Sequence, residues 1–153
     1  MPINNPTQTV RTRTIFAPAQ QKASGATLDW PGALIAAAGK NCFSRIQLPD
    51  DFTAVTNLFL ILRPQATGAS MMFDIVTSWA SRVGGEQWNV HTETAAARDV
   101  GATVAGEYMS HDIKDLFNVA NPINLDLLIV QVSYSAAAIA SNAHIQGVRL
   151  KYY

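Results

Sequence analysis

V-T-N-L-F-L-I-L-R, residues 55–63, is the most apolar stretch of the chain, and its reading decides the fold. Leu58, Leu60 and Leu62 fall on one face of a strand of period two, and Phe59 and Ile61 on the other. A strand apolar on both faces is either central in a sheet or meets a partner with its second face. Pro64 ends it, and residues 64–70, with Gly68, read as a turn.

The same period extends in both directions. Upstream, residues 42–48 set Ile46 and Leu48 against Arg45 and Gln47, and Pro49-Asp50-Asp51 stops them. A-L-I-A-A-A, residues 33–38, is open between a short helix started by Pro31 and a strand. T-V-R-T-R-T-I-F, residues 9–16, is rich in β-branched residues. Arg11 and Arg13 lie on one face of it, Val10, Thr12 and Thr14 on the other. Residues 17–28 read as loop, and residues 1–8, dominated by Pro and Asn, as an arm that is disordered or laid across a neighbour.

Downstream, residues 71–79 set Phe73, Ile75, Thr77 and Trp79 against Asp74, Val76 and Ser78. Residues 87–94 set Trp88, Val90 and Thr92 against Asn89, His91 and Glu93. Residues 95–101 read as a connector, a strand is expected near 103–109, and one helical turn over 115–119, stopped by Asn121-Pro122. Residues 125–134 form a strong strand, 135–142 a small-residue loop, and 144–153 a closing strand with Val148, Leu150 and Tyr152 inward. About eight strands at spacings of ~10–15 residues, with no long amphipathic helix between them, predict an all-β fold. The expected architecture is an antiparallel β-sandwich or jelly roll over residues 9–153, behind the short N-terminal arm.

Composition narrows the function. The chain has 153 residues, of which 48% are hydrophobic and only 14% charged. About 25% charge is usual for a soluble domain. The deficit is met by Thr, Ser, Asn and Gln, by surface covered in an assembly, or by both. Eleven basic and eleven acidic residues cancel, and no Lys/Arg run provides the footprint that nucleic acid requires. No run of apolar residues is long enough for a membrane span, and the first residues lack a signal-peptide core, so synthesis in a reducing cytoplasm is expected. Cys42 is the single cysteine and reads as a small residue in or beside a strand.

No catalytic constellation emerges. His91, His111 and His144 lie far apart, without metal-like spacing. His111-Asp112 resembles half of a catalytic pair but has no nucleophile in an elbow motif. Asp50-Asp51 reads as a solvated turn, and either Asp112 or Asp115 as the cap of the helical turn. The glycines form no phosphate-binding loop. No enzyme, cofactor or metal is therefore expected. Trp79, Trp88, Tyr108, Tyr134 and Tyr152 alternate with polar residues, which favours core; if exposed, such rings could stack on a sugar.

F-S-R-I-Q-L-P-D-D-F-T-A-V-T-N-L-F-L-I-L-R-P, residues 43–64, W-N-V-H-T-E-T, residues 88–94, and the closing H-I-Q-G-V-R-L-K-Y, residues 144–152, resemble small β-sandwich virion proteins of tailed bacteriophages. These include capsid decoration (cement) proteins and jelly-roll modules of head fibres. The likeness is one of cadence over residues 10–153 and carries no catalytic residues with it. It implies a structural protein on the capsid surface of a virion, made in the host cytoplasm. Its partners would be the major capsid protein and copies of itself, as a homotrimer. Val10, Arg11, Arg13, Trp79 and Trp88 are the candidate partner-binding residues. The alternative is a carbohydrate-binding module of a fibre or tail.

Overall fold

A computed structural model describes residues 11–21, 27–29, 32–36, 40–80, 85–87, 91–117, 127–135 and 142–153. The strands, in chain order, are β1 (Arg13–Pro18), β2 (Gln20–Gln21), β3 (Thr27–Asp29), β4 (Gly32–Ile35), β5 (Asn41–Gln47) and β6 (Val55–Pro64). They continue as β7 (Met72–Ala80), β8 (His91–Asp99), β9 (Met109–Asp112), β10 (Leu127–Tyr134) and β11 (Ala143–Tyr152). The only helical element among the described residues is a 3-10 turn, Lys114–Leu116.

The last eight strands are one long hairpin folded on itself. β4 pairs with β11, β5 with β10, β6 with β9 and β7 with β8, all antiparallel. Two further pairings, β6 with β11 and β7 with β10, zip this nest into two sheets. One runs β4-β11-β6-β9 and the other β5-β10-β7-β8. This is the jelly-roll topology, and the fold is the all-β sandwich that the alternating pattern predicts. β1 and β3 are added to the first sheet and β2 to the second.

One continuous core lies between the sheets. Leu58, Leu60 and Leu62 of β6 meet Phe73 and Ile75 of β7, Val130 and Val132 of β10, and Val148 and Leu150 of β11 within a single buried cluster. β6 is central, and Phe59 and Ile61 on its other face are half-buried. The open reading of residues 33–38 resolves to a strand over residues 33–35, because Ala33 and Ile35 point inward opposite Ile145 and Ala143. Residues 95–99, expected as connector, belong to β8, since Ala95 faces inward beside Ile75. The strand expected near residues 103–109 is a single bridge, Gly68 to Thr103, followed by a turn and then β9. The arm expected over residues 1–8 lies outside the described residues, as does most of the loop expected over 135–142.

A bulge sets the phase of β11. Ile145 pairs with Leu62 and Gly147 with Ile61, so Gln146 is an extra residue. A two-residue repeat would turn Val148, Leu150 and Tyr152 outward if Ile145 points in. The extra residue restores them to the core. Ala19 donates its N–H to the Gln146 carbonyl at 2.8 Å, and there the chain leaves β1 for β2 in the other sheet.

Candidate functional site

Of the five residues expected at a partner surface, Val10 and Trp88 lie outside the described residues. Arg11 is exposed just before β1, and Arg13 is exposed at its start, where it forms an ion pair with Asp51. Trp79 faces inward on β7 and is 5% exposed. His91 stacks on it at 3.9 Å between ring centroids and 10° between planes, and reaches Glu86 at 3.3 Å. A ring so covered is a core group and offers no platform to a partner or a sugar. Tyr152 is core as well, whereas Tyr108 is 61% exposed. Cys42 is buried in β5, and burial pushes its thiol up to about 12, far from a reactive thiolate.

The side of the sandwich where β8 and β9 form the two sheet edges carries a polar clasp. Ala97 adopts a left-handed conformation at φ 50°, its N–H held by Asp74 Oδ1 at 2.8 Å. This bulge shifts the register so that Arg98, rather than Ala97, sits opposite Phe73 and turns inward. Arg98 donates two hydrogen bonds to Asp115, at 2.7 and 3.0 Å, and its Nε donates to His111 Nε2 at 3.3 Å. The Thr77 hydroxyl donates to the Leu116 carbonyl, which ties the 3-10 turn to the second sheet.

His111 and Asp112 do not act together. Neighbours on a strand point to opposite faces: His111 shares a side with Leu60, Asp112 with Phe59. Asp112 accepts from Asn57 Nδ2 and from the Lys114 N–H, each at 2.9 Å, whereas the N-cap of the 3-10 turn is Ile113, without a side-chain cap bond, so neither Asp112 nor Asp115 is that cap. Desolvation, reinforced by the Arg98 cation and opposed by Asp115, Asp112 and Asp99, holds the His111 imidazole below its ordinary range. The fold therefore prefers neutral His111, whose bare Nε2 accepts from Arg98. Unfolding takes up a proton once the pH drops below about 6.5. The His111 contribution is complete above that value and is lost as pH falls from there through the lower folded-state value. The melting temperature is expected to drop more between pH 7.5 and 5.5 in the native sequence than in His111→Gln, as read by thermal denaturation. Equal drops would refute this assignment. Asp99, held low chiefly by the Gly101 N–H that it accepts at 2.7 Å, acts in a separate window, below the ordinary carboxylate range.

The two outer faces differ in chemistry. On the first sheet, the pairings place Phe16, Arg149, Phe59 and Asp112 in one row across β1, β11, β6 and β9. Phe16 is 53% exposed. The Arg149 guanidinium lies 5.0 Å from the Phe59 ring centroid and the Lys151 ammonium 5.7 Å. On the second sheet, the outward side chains Phe43, Met72, Val76, Leu127 and Ile129 are half-buried and apolar, and Arg45 stacks on Phe43 at 5.0 Å. Neither sheet face was legible as a surface in the sequence, because which strands lie side by side is a property of the topology.

A groove of about 510 Å³ opens at one end of β6, lined by Arg63, Pro64, Gln65, Ala105, Gly106 and His144. The Gly106 carbonyl accepts from Arg63 Nε at 3.0 Å, and the Gly106 N–H donates to the Pro64 carbonyl at 2.8 Å. Among the described residues, no group of three or more His, Cys, Asp or Glu side chains is placed to hold a metal ion. No protein-family model matches the chain, and comparison with curated proteins finds no significant match.

Proposed function

We propose that this chain is a structural virion protein, a capsid decoration protein that adheres to the outer surface of a phage head and stabilises it. The observation that carries the reading is the outer face of the second sheet. Five half-buried apolar side chains from β5, β7 and β10 make a nearly neutral surface there, with Arg45 lying flat on Phe43. Such a surface loses little on desolvation and suits a broad, permanent contact. The low charge of the chain and its likeness in cadence to cement proteins point the same way. Many modest contacts of this kind, repeated over a capsid lattice, act multivalently.

Ile129 lies in the middle strand of this face, paired with Arg45 on one side and Ser78 on the other. Ile129→Asp is expected to weaken capsid binding by roughly tenfold or more, the effect of removing one interface anchor and burying a charge. Co-sedimentation with capsids, beside a melting curve that certifies the fold, measures it. Binding undiminished both in this variant and after deletion of residues 1–8 would sink the proposal. A carbohydrate-binding role is the second reading, favoured by exposed Tyr108, two residues beyond the Gly106 that lines the groove. A glycan array separates the two, since a cement protein retains no sugar.

A further inference from the structure

We propose that the outer face of the first sheet joins this chain to a second copy of itself across a two-fold axis running along β6 through Phe59. The proposal rests on the assembly reading only in that it makes contact between copies expected; the face is the one opposite that assigned to the capsid.

The argument starts from the row Arg149–Phe59–Asp112. These are direct cross-strand partners, so their side chains point to the same side. Strands lie about 4.8 Å apart, so Arg149 and Asp112 leave the backbone at nearly equal distances on either side of β6. A half-turn about the β6 direction, with the axis in the plane of contact, sets Phe59 against the partner's Phe59. The same operation sets Arg149 against the partner's Asp112, and Asp112 against the partner's Arg149. The contact is isologous, each pairing occurring twice. The sheets then pack with strands aligned, one of the two arrangements that sheet faces adopt. The perpendicular in-plane axis would instead set Arg149 against Arg149, so charge selects between the two.

The groups concerned are available for this. Among the described residues, the ion pairs are Arg13–Asp51 and Arg98–Asp115, and neither Arg149 nor Asp112 has an oppositely charged partner there. Asp112 uses one lone pair of each oxygen, on Asn57 and on the Lys114 N–H, and retains acceptor capacity for a guanidinium. The cation–π contact already holds Arg149 against the Phe59 ring, so little side-chain freedom is left to lose. A two-fold contact links copies in pairs. A homotrimer, if formed, would need another surface and would appear in solution as a hexamer.

Sedimentation analysis across the micromolar range tests this. The native chain is expected as a dimer or a hexamer, and Arg149→Asp and Asp112→Arg are each expected to weaken the two-fold contact at least tenfold. The double variant, with the charges exchanged, restores it. Because Asp112→Arg also removes the acceptor of the Lys114 N–H, a salt series on the native chain provides a measurement without substitution. At about 1 M salt the screening length is about 3 Å, and the dimer weakens if the charge pairs orient it. Ile129→Asp, on the other sheet, leaves the dimer intact whether or not capsid binding is lost. A native chain that is monomeric or simply trimeric, single variants of unchanged mass, or a double variant that stays dissociated overturns the proposal.

Discussion

Gly147→Ala is expected to be among the most damaging single-methyl additions in this protein, costing on the order of 3–5 kcal/mol. Two effects combine. Gly147 has φ +149°, a backbone region that L side chains rarely adopt and that costs about 1–3 kcal/mol when they are forced into it. A Cβ there would also lie 2.1 Å from the Ala17 carbonyl oxygen and 2.9 Å from Pro18 Cα, both backbone atoms of β1 that cannot rotate away. Either β1 separates from β11 or the bulge at Gln146 is lost, and losing the bulge would turn Val148, Leu150 and Tyr152 out of the core. Gly32 approaches the same bulge from the other side, with a Cβ position 2.4 Å from the Ile145 carbonyl oxygen. Gly68→Ala is the matched control: nothing lies nearer than 3.7 Å, and a change within about 1 kcal/mol is expected. Denaturant midpoints of the two variants make the comparison. Equal stability in both would show that β1 yields to a side chain at Gly147.

Phe73→Ala carries the second large effect, about 3–5 kcal/mol, because it removes a ring from a closed site. Phe73 is 1% exposed and lies between the sheets, in the cluster with Leu58, Ile75 and Val132. Its pairing with Tyr134 on β10 and Arg98 on β8 leaves the strands on both sides little freedom to collapse into the void. Phe16→Ala removes the same atoms from the outer face of β1 and is expected to change stability by about 0.5 kcal/mol or less. Urea denaturation of both variants is decisive. A loss below about 1.5 kcal/mol for Phe73→Ala would mean that the sheets close over the cavity, contrary to the ordinary behaviour of cores.

The strands themselves were legible because alternation is a local property. The patterns over residues 42–48, 55–63 and 71–79 appear as β5, β6 and β7 with the same residues inward. Local reading failed clearly at residues 95–99. Alanine gives no periodic signal, so A-A-A-R-D over residues 95–99 read as connector, although its inward positions are set by pairing with β7. The bulge at Ala97 that aims Arg98 at His111 and Asp115 depends on Asp74, 23 residues away. No spacing rule within one strand could have joined these residues into a clasp. His111-Asp112 shows the converse. It looked like a pair because the two residues are adjacent, and the strand separates them because adjacent side chains diverge.

By itself the sequence determined that this protein is an all-β sandwich, since the two-residue period of its apolar side chains can be buried only by one face of a sheet. Only the tertiary structure decided which strands became neighbours, and with that the two outer faces. The row from Phe16 through Arg149 and Phe59 to Asp112 draws on four strands separated by most of the chain. Cross-strand distance, unlike periodicity, follows from how the long hairpin folds back on itself.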